Sequence, residues 1–92
     1  MSNKALPNEI TIDEFPYEYF IPIEGEEYFR GRLTINDLNG EFAVEIDLVQ
    51  VGSGKIYRHV GIYAGQPTAK EAIEYGRHEF YEFLSKTMSS SL

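Results

Sequence analysis

Glu41-Phe42-Ala43-Val44-Glu45-Ile46-Asp47-Leu48 alternates apolar and mostly polar side chains with almost no slip. Successive side chains of a strand point to opposite faces, so the pattern predicts a β-strand with Phe42, Val44, Ile46 and Leu48 buried on one side. Asn39-Gly40 lies just before it, and this dipeptide favours a type I′ hairpin turn because both central residues need positive φ. A two-residue loop there sets Leu38 opposite Glu41, Leu33 opposite Ile46, Ile35 opposite Val44 and Arg32 opposite Asp47. Apolar meets apolar and charge meets countercharge, so the register is self-consistent. The strand before the turn is expected over about residues 27–35. Phe29, Gly31, Leu33 and Ile35 share one face; Arg30, Arg32 and Thr34 take the other.

On the far side, Gly52-Ser53-Gly54 suits a three-residue loop with a glycine in the left-handed region. This loop sets Val51 opposite Lys55 and predicts a third strand over about residues 55–64. His59 then faces Asp47, Tyr57 faces Val49, Val60 faces Ile46 and Ile62 faces Val44. Arg58 falls on the buried side, at the sheet's end, where its stem can lie along apolar surface. Gly65-Gln66-Pro67 closes the strand, and Thr68-Ala69-Lys70-Glu71 is a capping box opening a helix. The helix is expected to reach Ser85 or Lys86, with Ala69, Ala72, Ile73, Gly76, Phe80, Phe83 and Leu84 as its apolar stripe. Gly76 costs a helix about 1 kcal/mol against alanine, which close packing on a strand would explain. The polar stretch 87–92 is expected to be a mobile tail. The fold class is α+β: a three-stranded antiparallel sheet in the order 1-2-3, with one C-terminal helix packed on one face.

Residues 1–26 read as an extended arm. Pro16 and Pro22 oppose a helix across it, and a short edge strand is expected at either 9–12 or 18–21. Phe15, Tyr17, Tyr19 and Phe20 need cover, either from the chain's own sheet or from a partner subunit. The arm is also acidic: six acids stand against Lys4, whereas residues 27–92 carry nine acids and seven bases. A formal net charge of −7 without a clustered basic patch argues against nucleic acid as a partner. There is no cysteine, which excludes disulfides, thiolate catalysis and zinc ribbons. No apolar run approaches the ~20 residues of a membrane span, and Met1–Pro7 lacks a signal-peptide core. A soluble cytoplasmic protein without membrane contact is the expectation.

From Tyr28 to Leu84 the strand-strand-strand-helix order resembles the double-stranded-RNA-binding domain without its first helix. That family carries a lysine cluster at the start of its last helix, where only Lys70 of Thr68-Ala69-Lys70-Glu71 could serve, so RNA binding is not implied. The layout is also similar to small bacterial β-β-β-α proteins of unassigned function, through Gly31, Phe42-Ala43-Val44, His59 and Thr68-Ala69-Lys70-Glu71-Ala72. Some of these carry the label haemolysin transcription activator, which implies a regulatory role in contact with nucleic acid.

The register places Arg32, Asp47 and His59 in a row across three strands on the non-helix face, with Glu45 one step along. A carboxylate between a guanidinium and an imidazole can orient the imidazole for proton transfer. The competing reading is a cross-strand charge ladder contributing about 0.2–1 kcal/mol per pair. No serine or cysteine nucleophile falls in the row. On the helix, His78 has Glu74 and Glu82 one turn away on either side, which suits surface pairing better than a metal site. Gly52-Ser53-Gly54-Lys55 joins two strands and so reads as a hairpin turn rather than a phosphate loop. The sequence implies no metal or cofactor and no catalytic set. It favours a non-enzymatic interaction module acting as a homodimer or with another protein. Its surface is expected to draw on Arg30, Arg32, Glu45, Asp47, Tyr57, His59 and Tyr63, with Phe15, Tyr17, Tyr19 and Phe20 of the arm. The alternatives are a regulator contacting nucleic acid and an enzyme using Asp47 and His59.

Overall fold

The computed structural model of the protein describes residues 14–90, with side chains described to Thr87. Four strands precede one helix: β1 (Tyr17–Pro22), β2 (Phe29–Leu38), β3 (Glu41–Gln50), β4 (Ile56–Gln66) and α1 (Ala69–Ser90). The sheet is antiparallel throughout, in the order β1-β2-β3-β4, and α1 packs on one face. The expected three strands are all present and the arm adds a fourth. Its edge strand falls at the second of the two expected places; the first, 9–12, lies outside the described residues.

The β2–β3 hairpin has the expected register, with Leu33 opposite Ile46, Ile35 opposite Val44, and Arg32 opposite Asp47. Asn39 and Gly40 take φ of 58° and 97°, the positive values that a type I′ turn needs. Tyr19 pairs with Leu33 and Ile21 with Gly31, so these two residues of β1 share the helix side with the β2 core residues. Ile21 is buried, and Phe15 and Tyr19 pack against the core, Phe15 with its ring 5.7 Å from that of Phe42. The described part of the arm thus extends the sheet and buries Phe15 and Tyr19 in part against its own core, while Tyr17 and Phe20 stay exposed.

β4 departs from the expected register. His59 does face Asp47 and Arg58 faces Leu48, but Gly61 faces Ile46, Tyr63 faces Val44 and Ile56 faces Val49. Register shifts on either side of the Asp47–Leu48 pairs insert extra residues into β4, and each insertion exchanges the two faces beyond it. Gly61 makes one insertion possible, because without a side chain it lets Val60 and Tyr63 both pack on the core. Ile62, expected in the core, therefore stands on the open face. Tyr63, expected there, packs edge-on against Tyr75 of α1 at 5.1 Å. Tyr57 likewise sits with its ring 4.7 Å from Phe29 instead of facing Val49.

The helix stripe packs as expected. Ala72, Ile73, Gly76 and Phe80 are buried, and Ala69, Phe83 and Leu84 are partly so. The Thr68 hydroxyl accepts from the Glu71 N–H at 3.0 Å and caps the first turn. The helix continues to Ser90 rather than stopping near Lys86, since neither glycine nor proline follows to end it. Arg58 stands on the helix side, its guanidinium 5.6 Å from the ring of Phe83. Phe80 lies directly over Gly31, where a Cβ would come within 2.7 Å of its ring. Here the sheet and helix are in close contact.

Candidate functional site

The open face of the sheet carries the side chains that the helix does not use. Asp47 lies at its centre on β3 and is the buried charged residue among those described, with 0% exposure. A buried carboxylate must be compensated, and His59 and Arg32 converge on it. His59 Nδ1 lies 2.8 Å from Asp47 Oδ1. An ionised carboxylate only accepts, so in that state the contact is a hydrogen bond donated by the ring Nδ1. Arg32 approaches from β2, with a guanidinium nitrogen 3.6 Å from Asp47 Oδ2 and another 3.9 Å from Glu18 Oε2 on β1. Glu45, two residues along β3, reaches within 3.7 Å of His59 Nδ1.

The cluster thus spans all four strands. Its expected members Arg32, Glu45, Asp47 and His59 come together as the hairpin register implied. Glu18 was assigned only to the arm; the pairing of Glu18 with Thr34 is what brings it beside Arg32. Arg30 stacks instead on Phe20, with its guanidinium carbon 3.9 Å from the ring centroid, a geometry worth about 0.5–1 kcal/mol at exposed sites. Phe15, Tyr17 and Tyr19 do not join this face: Phe15 and Tyr19 belong to the core, and Tyr17 pairs with Ile35 on the helix side. Tyr57 and Tyr63 are displaced by the β4 register shifts. Ile62 and Ile56 take places on the open face that sequence spacing had not given them.

The electrostatics are tightly coupled. Partial burial, and then the neighbouring Asp47 charge and a hydrogen bond with it, push the Glu45 carboxyl above the usual glutamate range; His59 and Arg32 pull the other way without reversing it. Three polar atoms in this region are buried without a hydrogen-bond partner among the described residues: Arg30 Nε, Arg32 Nε and Asp47 Oδ2. The Arg32 guanidinium faces Asp47 Oδ2 as a charge but lies beyond hydrogen-bond reach.

Chemically, the arrangement presents an imidazole held by a buried carboxylate, with a half-exposed ring and a second carboxylate alongside. A shallow depression of about 220 Å³ lies elsewhere, lined by Ile23, Phe29, Leu48 and Leu84 among others, on the helix side of the sheet. The imidazole therefore lies at an open surface and not within that depression. His78 pairs with Glu82 at 3.9 Å on the exposed helix face, and Lys70 with Glu74 at 3.6 Å. No helix among the described residues is long and apolar enough to cross a membrane. No protein-family model, curated protein or solved structure matches this chain.

Proposed function

We propose that this chain is a non-enzymatic interaction module that works as a homodimer, joined through the outer edge of β4. The observation that carries this reading is the exposure of large apolar side chains along that edge strand. Ile56 is 51% exposed, Tyr57 65% and Ile62 61%. β4 is eleven residues long and ends the sheet, so its outward N–H and C=O groups lack a strand partner among the described residues. A long apolar edge is a template for adding another strand. The opposite edge, β1, has six residues and includes Pro22, which has no N–H to give.

Charge favours a second copy as the occupant. The N-terminal half of β4 follows Lys55 and carries Arg58. The C-terminal half runs beside Glu41, whose carboxylate lies 3.9 Å from the position a Cβ would take at Gly65. Antiparallel pairing about a two-fold axis sets each half against its complement, as a self-complementary interface requires. A regulator contacting nucleic acid has less support, because Arg30 and Arg32 are engaged by Phe20 and by Asp47 with Glu18. An enzyme using Asp47 and His59 has less support, because the depression lined by Ile23, Phe29, Leu48 and Leu84 lies on the helix side of the sheet, away from the pair.

Light scattering across a concentration series tests the proposal. A dimer is expected for the parent chain and a monomer of unchanged circular dichroism for Ile62→Lys. A parent chain that stays monomeric overturns it; the β4 bulges would then be protecting this edge, as bulges do in many natural sheets. A dimer insensitive to Ile62→Lys places the interface elsewhere and also overturns it.

A further inference from the structure

We infer that Glu45, Asp47 and His59 form a binding site for a divalent transition-metal cation, zinc being the best fit, which clamps the edge strand β4 to β3. One ligand atom from each residue lies within 4.8 Å of the others. Two carboxylate oxygens and one imidazole nitrogen suit a borderline cation, whereas calcium and magnesium prefer oxygen alone. The spacing comes from the sheet itself: Glu45 and Asp47 stand two residues apart on one face of β3, and His59 is the cross-strand partner of Asp47.

Two further observations point to a ligand. Asp47 is wholly buried, yet its Oδ2 has no hydrogen-bond donor among the described residues. Three carboxyl groups, those of Glu18, Glu45 and Asp47, gather here about the one guanidinium of Arg32, an acid-rich setting that favours a cation.

Bonds of about 2.0–2.2 Å in a tetrahedron place ligand atoms roughly 3.4 Å apart. His59 Nδ1 and Asp47 Oδ1, at 2.8 Å, need only part slightly, and the partly exposed Glu45 side chain can close the remaining gap. On binding, the Nδ1 proton leaves for the solvent side of the ring at Nε2, and Nδ1 takes the metal. The site does not depend on dimerisation.

Titration of the full chain with zinc chloride, followed by calorimetry, tests this inference. One zinc ion per chain is expected, with magnesium chloride giving no heat at the same excess. Glu45→Gln and His59→Gln, both at partly exposed positions, should each weaken zinc binding at least ~10-fold, since even outer-shell changes reach that size. Circular dichroism without metal should match the parent for both variants. His78→Gln should leave binding unchanged, and the imidazole nitrogen spectrum should show zinc on Nδ1 of His59. Absence of zinc binding overturns the inference. So does binding that survives Glu45→Gln and His59→Gln, or that disappears with His78→Gln, since the ion then sits on the helix surface.

Discussion

Gly31 and Gly76 occupy the same sheet–helix contact but face different neighbours. A Cβ at residue 31 would meet the ring of buried Phe80 at 2.7 Å, and a flat ring cannot yield by changing rotamer within a filled core. Gly31→Ala is therefore expected to cost about 1–3 kcal/mol in urea denaturation. At Gly76 a Cβ would meet Val44 Cγ2 at 2.9 Å and Leu33 Cδ1 at 3.0 Å, but alanine returns about 1 kcal/mol of helix propensity. A smaller loss is expected there; an equal or larger one would show that the strand side is the tighter. Glu45 makes a prediction with pH. Its folded pKa is raised, so the folded state binds the proton more tightly than the unfolded chain. That contribution to stability is full below the ordinary glutamate range and is lost as pH rises through the folded value. The charged groups facing it are Asp47, which acts with burial to raise the pKa, and His59 and Arg32, which oppose. In metal-free buffer Glu45→Gln should match the parent in acid and exceed its stability at neutral pH. A variant less stable at neutral pH would mean that His59 and Arg32 outweigh burial and Asp47. Much of this site was legible in the sequence, because Arg32, Asp47 and His59 are tied by two short turns. Glu18 was not legible: the six residues between β1 and β2 contain no turn dipeptide that fixes a register.

At the scale of elements, the same contrast separates β2–β3 from β4. Asn39-Gly40 permits one compact turn and hence one register, and the alternation of β3 confirms it residue by residue. The second turn spans Val51 to Lys55, closed by Gly54 N–H to Gln50 C=O at 2.9 Å and Gln50 N–H to Lys55 C=O at 2.9 Å. Beyond it, apolar residues stand at consecutive positions, as in Val60-Gly61-Ile62-Tyr63, and a one-residue insertion decides which of them faces inward. Spacing alone assigns Ile62 to the core; the larger ring of Tyr63, with Tyr75 to pack against, wins the place. β1 makes a separate prediction. Removing residues 1–22 deletes buried Ile21 together with Phe15 and Tyr19, and turns β2 into an edge. Full burial of one such side chain is worth about 1.5–3 kcal/mol. The truncated chain should lose about 3 kcal/mol or more, read as a lower urea midpoint with a smaller slope. An unchanged midpoint would show that β1 decorates the sheet without supporting it.

For the whole molecule, amide exchange should rank the strands by position. Amides of β2 and β3 are paired on both sides and should be the slowest. Outward amides of β4 should exchange quickly in dilute solution and slow as concentration rises, if copies pair along that edge. Protection of β4 that ignores concentration would count against the homodimer. The order of the chain through the sheet carries one more consequence, for the protein as it is made. Each strand meets its neighbour as soon as both have emerged, so the meander can assemble vectorially from β1 to β4. The layer that seals Leu33, Ile35, Val44 and Ile46 is α1, and its Phe80 lies well after the last strand. Until that helix clears the ribosome, the nascent sheet presents its apolar face to solvent. A chaperone that grips extended apolar chain has its window on this protein then, and the arrival of Phe80 over Gly31 closes it.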